Sequence, residues 1–242
     1  MPAPGRFCES GPVSVGPTKP ERISPYALAC LEALRGCEAG ACLSLGGAFG
    51  LAHYHDYRNT NDVDAWWTES ATEANRACVL ERIRAALQPF GAVSSREHGD
   101  VFSLELEENG RTVFSFQVAR RSAQIGVGQP SPWPPVALDS IEDLIAAKMA
   151  ALVARGAPRD FLDIRELCRV GLASVDECWR LWRLREEKRG VSAPDGVTAR
   201  AAVLLHLSRI ERTRPVSGIA DRVDRDRAEA ARDDDAPRGH LA

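Results

Sequence analysis

The chain has no run of eighteen apolar residues, no C-x-x-C spacing and no G-x-G-x-x-G, and each absence removes a class of protein. Without a long apolar run, nothing reads as a membrane-spanning helix. The opening "MPAPGRFCESGPVSVGPTKP" has no apolar stretch of the kind a signal peptide carries, so the expected compartment is the cytoplasm. Seven cysteines, at 8, 30, 37, 42, 78, 168 and 178, are an odd number without zinc-ligand spacing. Most sit in apolar stretches such as "ALACLEAL" and read as small buried hydrophobes. The missing glycine fingerprint argues against a dinucleotide fold. A net charge of −3 also argues against coating nucleic acid through bulk charge, although a local basic patch is independent of the total.

What is present is an ordinary globular composition: 242 residues, 44% hydrophobic and 27% charged, enough for a sizeable core. Residues 1–22, rich in Pro and Gly, read as a loose leader. Residues 23–135 read as an α/β core. "SPYALACLEALRG" carries Ser24 as a cap, Pro25 in the first turn and a glycine stop. "ACLSL" is a buried strand running into Gly46-Gly47, then a short helix. "DVDAWW" alternates, with Asp62 and Asp64 on one face and Val63 and Ala65 on the other. Residues 71–88 are an amphipathic helix. Two alternating runs flank Asn109-Gly110, a strong hairpin signal. After the Pro-rich "QPSPWPP", residues 136–212 read as a helical half that completes the site. Residues 213–242 are charge-dense and poor in large apolar groups, and are expected to be disordered. The predicted class is α+β: a small mixed sheet with flanking helices, followed by helices.

The chemistry concentrates in "LSLGGAFGLAHYHDYRNTNDVDAWW". Residues i and i+2 of a strand project to one side, so Asp62 and Asp64 can share a divalent cation. Magnesium favours one or two carboxylates plus phosphate oxygens, the setting of phosphoryl and nucleotidyl transfer. A Gly-Gly turn before a helix offers backbone N–H groups to phosphate without a Cβ in the way. Taken singly, a D-x-D is an ordinary solvated pair and a Gly-Gly a tight turn; their order along the chain carries the reading.

This stretch resembles the first motif of the AbiEii/AbiGii-type nucleotidyltransferases, within the DNA polymerase β-like superfamily. "SIEDLIAAKMAALVARGAPRDFLDIREL" resembles that family's later segment. The resemblance runs loosely from about residue 24 to 212. It implies that Gly46 and Gly47 face a nucleoside triphosphate, and that Asp62 and Asp64 hold Mg2+ or Mn2+. It also implies that Arg58 and Lys148 contact the nucleotide and that Asp160 joins the catalytic set, with Asp163 on the same helical face. A toxin of a toxin–antitoxin or phage-defence pair is implied too, with an antitoxin partner and an acceptor hydroxyl on RNA such as tRNA, or on protein.

Plainer roles stand beside these. On the helix alone, Lys148 reads most simply as an exposed or snorkelling residue. Asp160 and Asp163 can cap the helix after Pro158 or pair with Arg159 and Arg165. Arg58 can simply neutralise Asp62. His53 and His55 point apart on a helix, and Trp66, Trp67, Trp179 and Trp182 read as core. Two departures from the family pattern stand out. Ala48 replaces a hydroxyl residue after the glycines. The strand expected to supply a third carboxylate offers Gln117, with Glu105 and Glu107 on the neighbouring strand as substitutes. They raise the alternative of a non-catalytic relative that binds nucleotide or a protein. The arginines available to an RNA end are Arg120, Arg121, Arg155 and Arg159.

Overall fold

Helix α1, Pro25–Leu34, begins where the sequence places it: the Ser24 hydroxyl accepts the Ala27 N–H. A computed structural model describes residues 16–190 and 195–213; the expected disordered tail lies outside the described residues apart from Thr213, as does most of the leader. The end of that leader is anchored, because the N–H groups of Glu21 and Arg22 both donate to Asp56 Oδ2 at 2.8 Å.

The expected β1 (Leu43–Gly46), α2 (Gly47–Ala52), β2 (Asp62–Trp67) and α3 (Glu73–Leu87) all form. Strand β3 (Ala92–His98) was not anticipated. It is an edge strand exposed along almost its whole length, so it shows no apolar alternation. Strands β4 (Val101–Glu108) and β5 (Arg111–Arg120) make the expected hairpin, with Asn109 and Gly110 both at positive φ, 52° and 72°.

The Pro-rich stretch is built into the sheet. It carries β6 (Gln129–Pro130) and leads into β7 (Ala137–Leu138), a strand at the start of the half expected to be helical, and Trp133 between them is fully buried in the same core as α1 and α3. Strand β7 runs parallel to β1. The seven-stranded mixed sheet has the order β3-β4-β5-β2-β1-β7-β6, with β2 antiparallel to β1 and parallel to β5. The fold is therefore α+β, as the sequence implies.

One sheet face is apolar. Leu43 and Leu45 of β1, Val63, Ala65 and Trp67 of β2, and Phe114, Phe116 and Val118 of β5 are buried with α1 and α3. A fully buried side chain of this kind contributes about 1.5–3 kcal/mol. The period-two alternation then forces Asp62, Asp64 and Trp66 to the opposite face. On that side stand α4 (Ile141–Ala154), α5 (Pro158–Arg169), α6 (Val175–Lys188) and α7 (Gly196–Thr213), which share a second apolar cluster with Trp179 and Trp182. Leu144 of α4 closes on Gly50 of α2, where a Cβ would come within 2.7 Å.

Candidate active site

Asp64 and Gly47 meet because β1 and β2 pair antiparallel with Gly46 opposite Asp64. Gly47 turns the chain into α2 at φ +60°, and a Cβ there would lie 1.9 Å from Asp64 Oδ2. A side chain at Gly46 would strike the Trp66 indole, 2.3 Å from Nε1. Both glycines are thus required by close approach, and the first N–H groups of α2 stay free of intrahelical acceptors beside the acidic pair.

Asp62 and Asp64 project from the same face of β2. Thr60 Oγ1 donates to Asp62 Oδ1, and Arg159 Nη1 approaches Asp62 Oδ2 at 3.9 Å. Asp64 takes no hydrogen bond or ion pair among the described residues. Desolvation and the neighbouring Asp62 charge raise its pKa, against the pull of Lys148, Arg159 and Arg155. Two adjacent carboxylates, one desolvated and unpartnered, suit a hard divalent cation.

Asp163 is fully buried and gathers three segments. Arg58 donates through Nε at 2.8 Å and Nη2 at 3.0 Å, Lys148 Nζ lies at 2.6 Å, and the Tyr57 hydroxyl donates to Oδ1. Burial pushes the Asp163 carboxyl up, but Arg58, Lys148 and Tyr57 together hold it below its ordinary value. Tyr57 is raised by burial and by Asp163. Lys148 is therefore a buried, paired cation and not an exposed one, and Arg58 takes Asp163 as its partner, not Asp62.

Asp160 is buried at the start of α5, where Oδ2 accepts the Ala157 N–H at 3.3 Å and Arg155 donates to both oxygens at 2.9 and 3.1 Å. Its contacts are those of a helix cap, and they do not bring it onto Asp62 or Asp64. His53 Nδ1 contacts Phe49 O while His55 stacks on Tyr57, so the two histidines share no ligand.

Gln117 stands directly opposite Asp64 in the β2–β5 register and donates to Ser115 Oγ at 3.2 Å. Glu105 pairs with Ser115, two strands from Asp62, and is engaged by Arg96 and Thr112; Glu107 is opposite Thr112. Among the described residues no group of three or more His, Cys, Asp or Glu forms a metal cluster. Arg155 and Arg159 lie on the side of the acidic pair. Arg120 and Arg121 do not: they line a cavity of about 1310 Å³ at the far end of β2, with Trp67 and Arg76.

Sequence reasoning missed Tyr57 and Thr60. Both belong to "YRNTND", and a hydroxyl two residues before Asp62 was a readable local signal; Tyr57 had none, because its partner lies on α5.

A search of the curated proteins finds no match. The family described as "Nucleotidyl transferase AbiEii toxin, Type IV TA system" matches residues 30–238, a span that takes in the glycine turn, the acidic pair, Lys148 and Asp163 alike. With most of the chain matched, this protein belongs to the AbiEii nucleotidyl transferase toxin family.

Proposed function

We propose that the protein transfers a nucleotide from a nucleoside triphosphate to an acceptor hydroxyl, with Mg2+ or Mn2+ held by Asp62 and Asp64. The observation that carries this reading is the unpartnered Asp64 carboxylate packed against Gly47, which only a glycine can accommodate. When bound, the cation neutralises charge on phosphate oxygens.

The remaining roles fall to the chain itself. Gly46 and Gly47 leave room for the triphosphate against backbone N–H groups. Lys148, oriented by Asp163, presents a fixed positive charge toward the phosphates, and Arg58 is locked beside it by the same carboxylate. Asp160 keeps the start of α5 in place, with Arg159 near Asp62. Transfer to an alcohol relies chiefly on positioning and charge neutralisation, so no covalent nucleophile is required. An antitoxin protein is the partner that fits the family.

A second reading has its own observation. Gln117, an amide, occupies the register position beside Asp64, and an amide binds a hard cation more weakly than a carboxylate. A relative of this kind binds nucleotide without turnover. Incubation with each α-labelled nucleoside triphosphate, magnesium and total RNA or lysate separates the two. Label entering RNA or protein with the parent, and not with Asp62→Ala, is the expected result. Label that enters equally with both proteins rejects the assignment. No label, with saturable nucleotide binding retained, selects the binding-only reading.

A further inference from the structure

Of the five tryptophans, four stand in one of the two apolar clusters: Trp67 and Trp133 in the first, Trp179 and Trp182 in the second. Trp66 stands in neither, contrary to the core position its sequence suggests. It is half-buried and follows Asp62 and Asp64 along the same face of β2. Its neighbours across the strands are small, Ser44 on β1 and Ala119 on β5, and its ring leans diagonally over Gly46. The indole fills the space a Cβ would take at Gly46, with Nε1 at 2.3 Å, Cε2 at 3.0 Å and Cδ1 at 3.2 Å from that position. Those two carbons flank Nε1 in the ring, so the N–H edge is the one turned to the glycine. That N–H has no acceptor among the described residues. The Asp139 carboxylate beside Ser44 is already taken, by the Ser44 hydroxyl at 2.5 Å and by Arg121.

We infer that the Trp66 indole N–H donates to a phosphate oxygen of the bound nucleoside triphosphate, an inference that rests on the nucleotidyl-transfer reading. Gly46 pairs with Asp64 in the β1–β2 register, so the donor edge lies over the residue opposite a proposed cation ligand. The oxygens such a cation gathers are those of phosphate. An indole N–H donates and cannot accept, which suits an anionic oxygen. As a neutral group it adds a hydrogen bond there without a charge that competes with the cation. Glycine at position 46 then has its own purpose: it admits the donor, as Gly47 admits Asp64.

The test pairs two measurements on the full chain with magnesium present. In the first, calorimetry gives the affinity of the parent, Trp66→Phe and Trp66→Leu for inorganic tripolyphosphate, ATP and adenosine. Phenylalanine keeps an aromatic ring and loses the donor; leucine loses both. Both variants are expected to bind tripolyphosphate and ATP about tenfold more weakly, the worth of one hydrogen bond to a charged acceptor. Adenosine affinity and the ligand-free melting temperature should match the parent's. In the second, the parent, labelled for NMR, is titrated with tripolyphosphate. The indole N–H resonance that is missing from Trp66→Phe is expected to move downfield. Parental tripolyphosphate affinity in Trp66→Phe, or an indole resonance that stays in place, overturns the inference. A loss confined to ATP and adenosine in Trp66→Leu also overturns it, because Trp66 is then a stacking surface for the base. Trp66-dependent tripolyphosphate binding without labelling of any acceptor keeps the donor and counts against the transfer reading. Labelling by a parent whose tripolyphosphate affinity is indifferent to Trp66 keeps the transfer reading and removes the donor.

Discussion

The Lys148 ammonium lies 2.6 Å from Asp163 Oδ2, and the same carboxylate receives both donor arms of Arg58. One buried anion thereby ties α4, α5 and the loop before β2 into a single unit. The two cations offset its desolvation, and it in turn fixes their positions, Lys148 within electrostatic reach of Asp64. Removing one member of such a group leaves buried charge without a partner, which costs far more than the pair contributes against an apolar substitute.

Asp163→Asn is therefore expected to destabilise the fold by about 3–5 kcal/mol, read as the urea midpoint at neutral pH. The folded-state pKa of Asp163 is depressed, so its stabilisation is complete above the ordinary aspartate range. It is lost as pH falls through the depressed value. Parent and variant should converge as pH falls below the ordinary aspartate range, and a gap that stays constant as it falls would show that Asp163 acts through packing alone.

For Asp64 the sign reverses. Its folded pKa is raised, so the ionised carboxylate works against the fold at neutral pH when no cation is bound, and the penalty disappears as pH falls. In chelator, Asp64→Asn should melt higher than the parent by roughly 2–4 °C, the shift about 1 kcal/mol produces in a domain of this size. Added magnesium should stabilise the parent and leave the variant unmoved. Equal responses would place the cation elsewhere.

Gly47→Ala combines an unfavourable positive φ with a methyl group 1.9 Å from Asp64 Oδ2. We expect a loss of about 2 kcal/mol or more in thermal or urea unfolding, together with loss of magnesium-dependent stabilisation. An alanine variant that keeps both would mean the turn has slack the geometry does not show.

Gln117→Glu places a third carboxylate opposite Asp64. Like charges then lower the melting temperature in chelator, while magnesium or manganese should raise it by more than in the parent, since stabilisation grows as RT ln(1 + [L]/Kd). A cation response identical to the parent's would remove position 117 from the site.

Much of the architecture was readable locally. Ser24 and Pro25 mark a helix start and Asn109-Gly110 a hairpin, because caps and turns are decided by a few neighbouring residues. β3 was not readable, since an exposed edge strand needs no apolar period, nor were β6 and β7, whose short pairing depends on β1 across the chain. Trp133 makes the point: in a Pro-rich stretch it reads as linker, yet it is fully buried in the first core.

The site divides in the same way. The sequence by itself determined that Asp62 and Asp64 share a face and that glycines precede a helix, because strand alternation and glycine's missing Cβ are local properties. Only the tertiary structure decided that Gly47 faces Asp64, that Gln117 stands beside it, and that Lys148 and Arg58 converge on Asp163 while Asp160 caps a helix. Those pairings depend on strand register and on packing between α4 and α5. Register and packing come from burying the two apolar clusters, a property of the whole chain that no single motif carries.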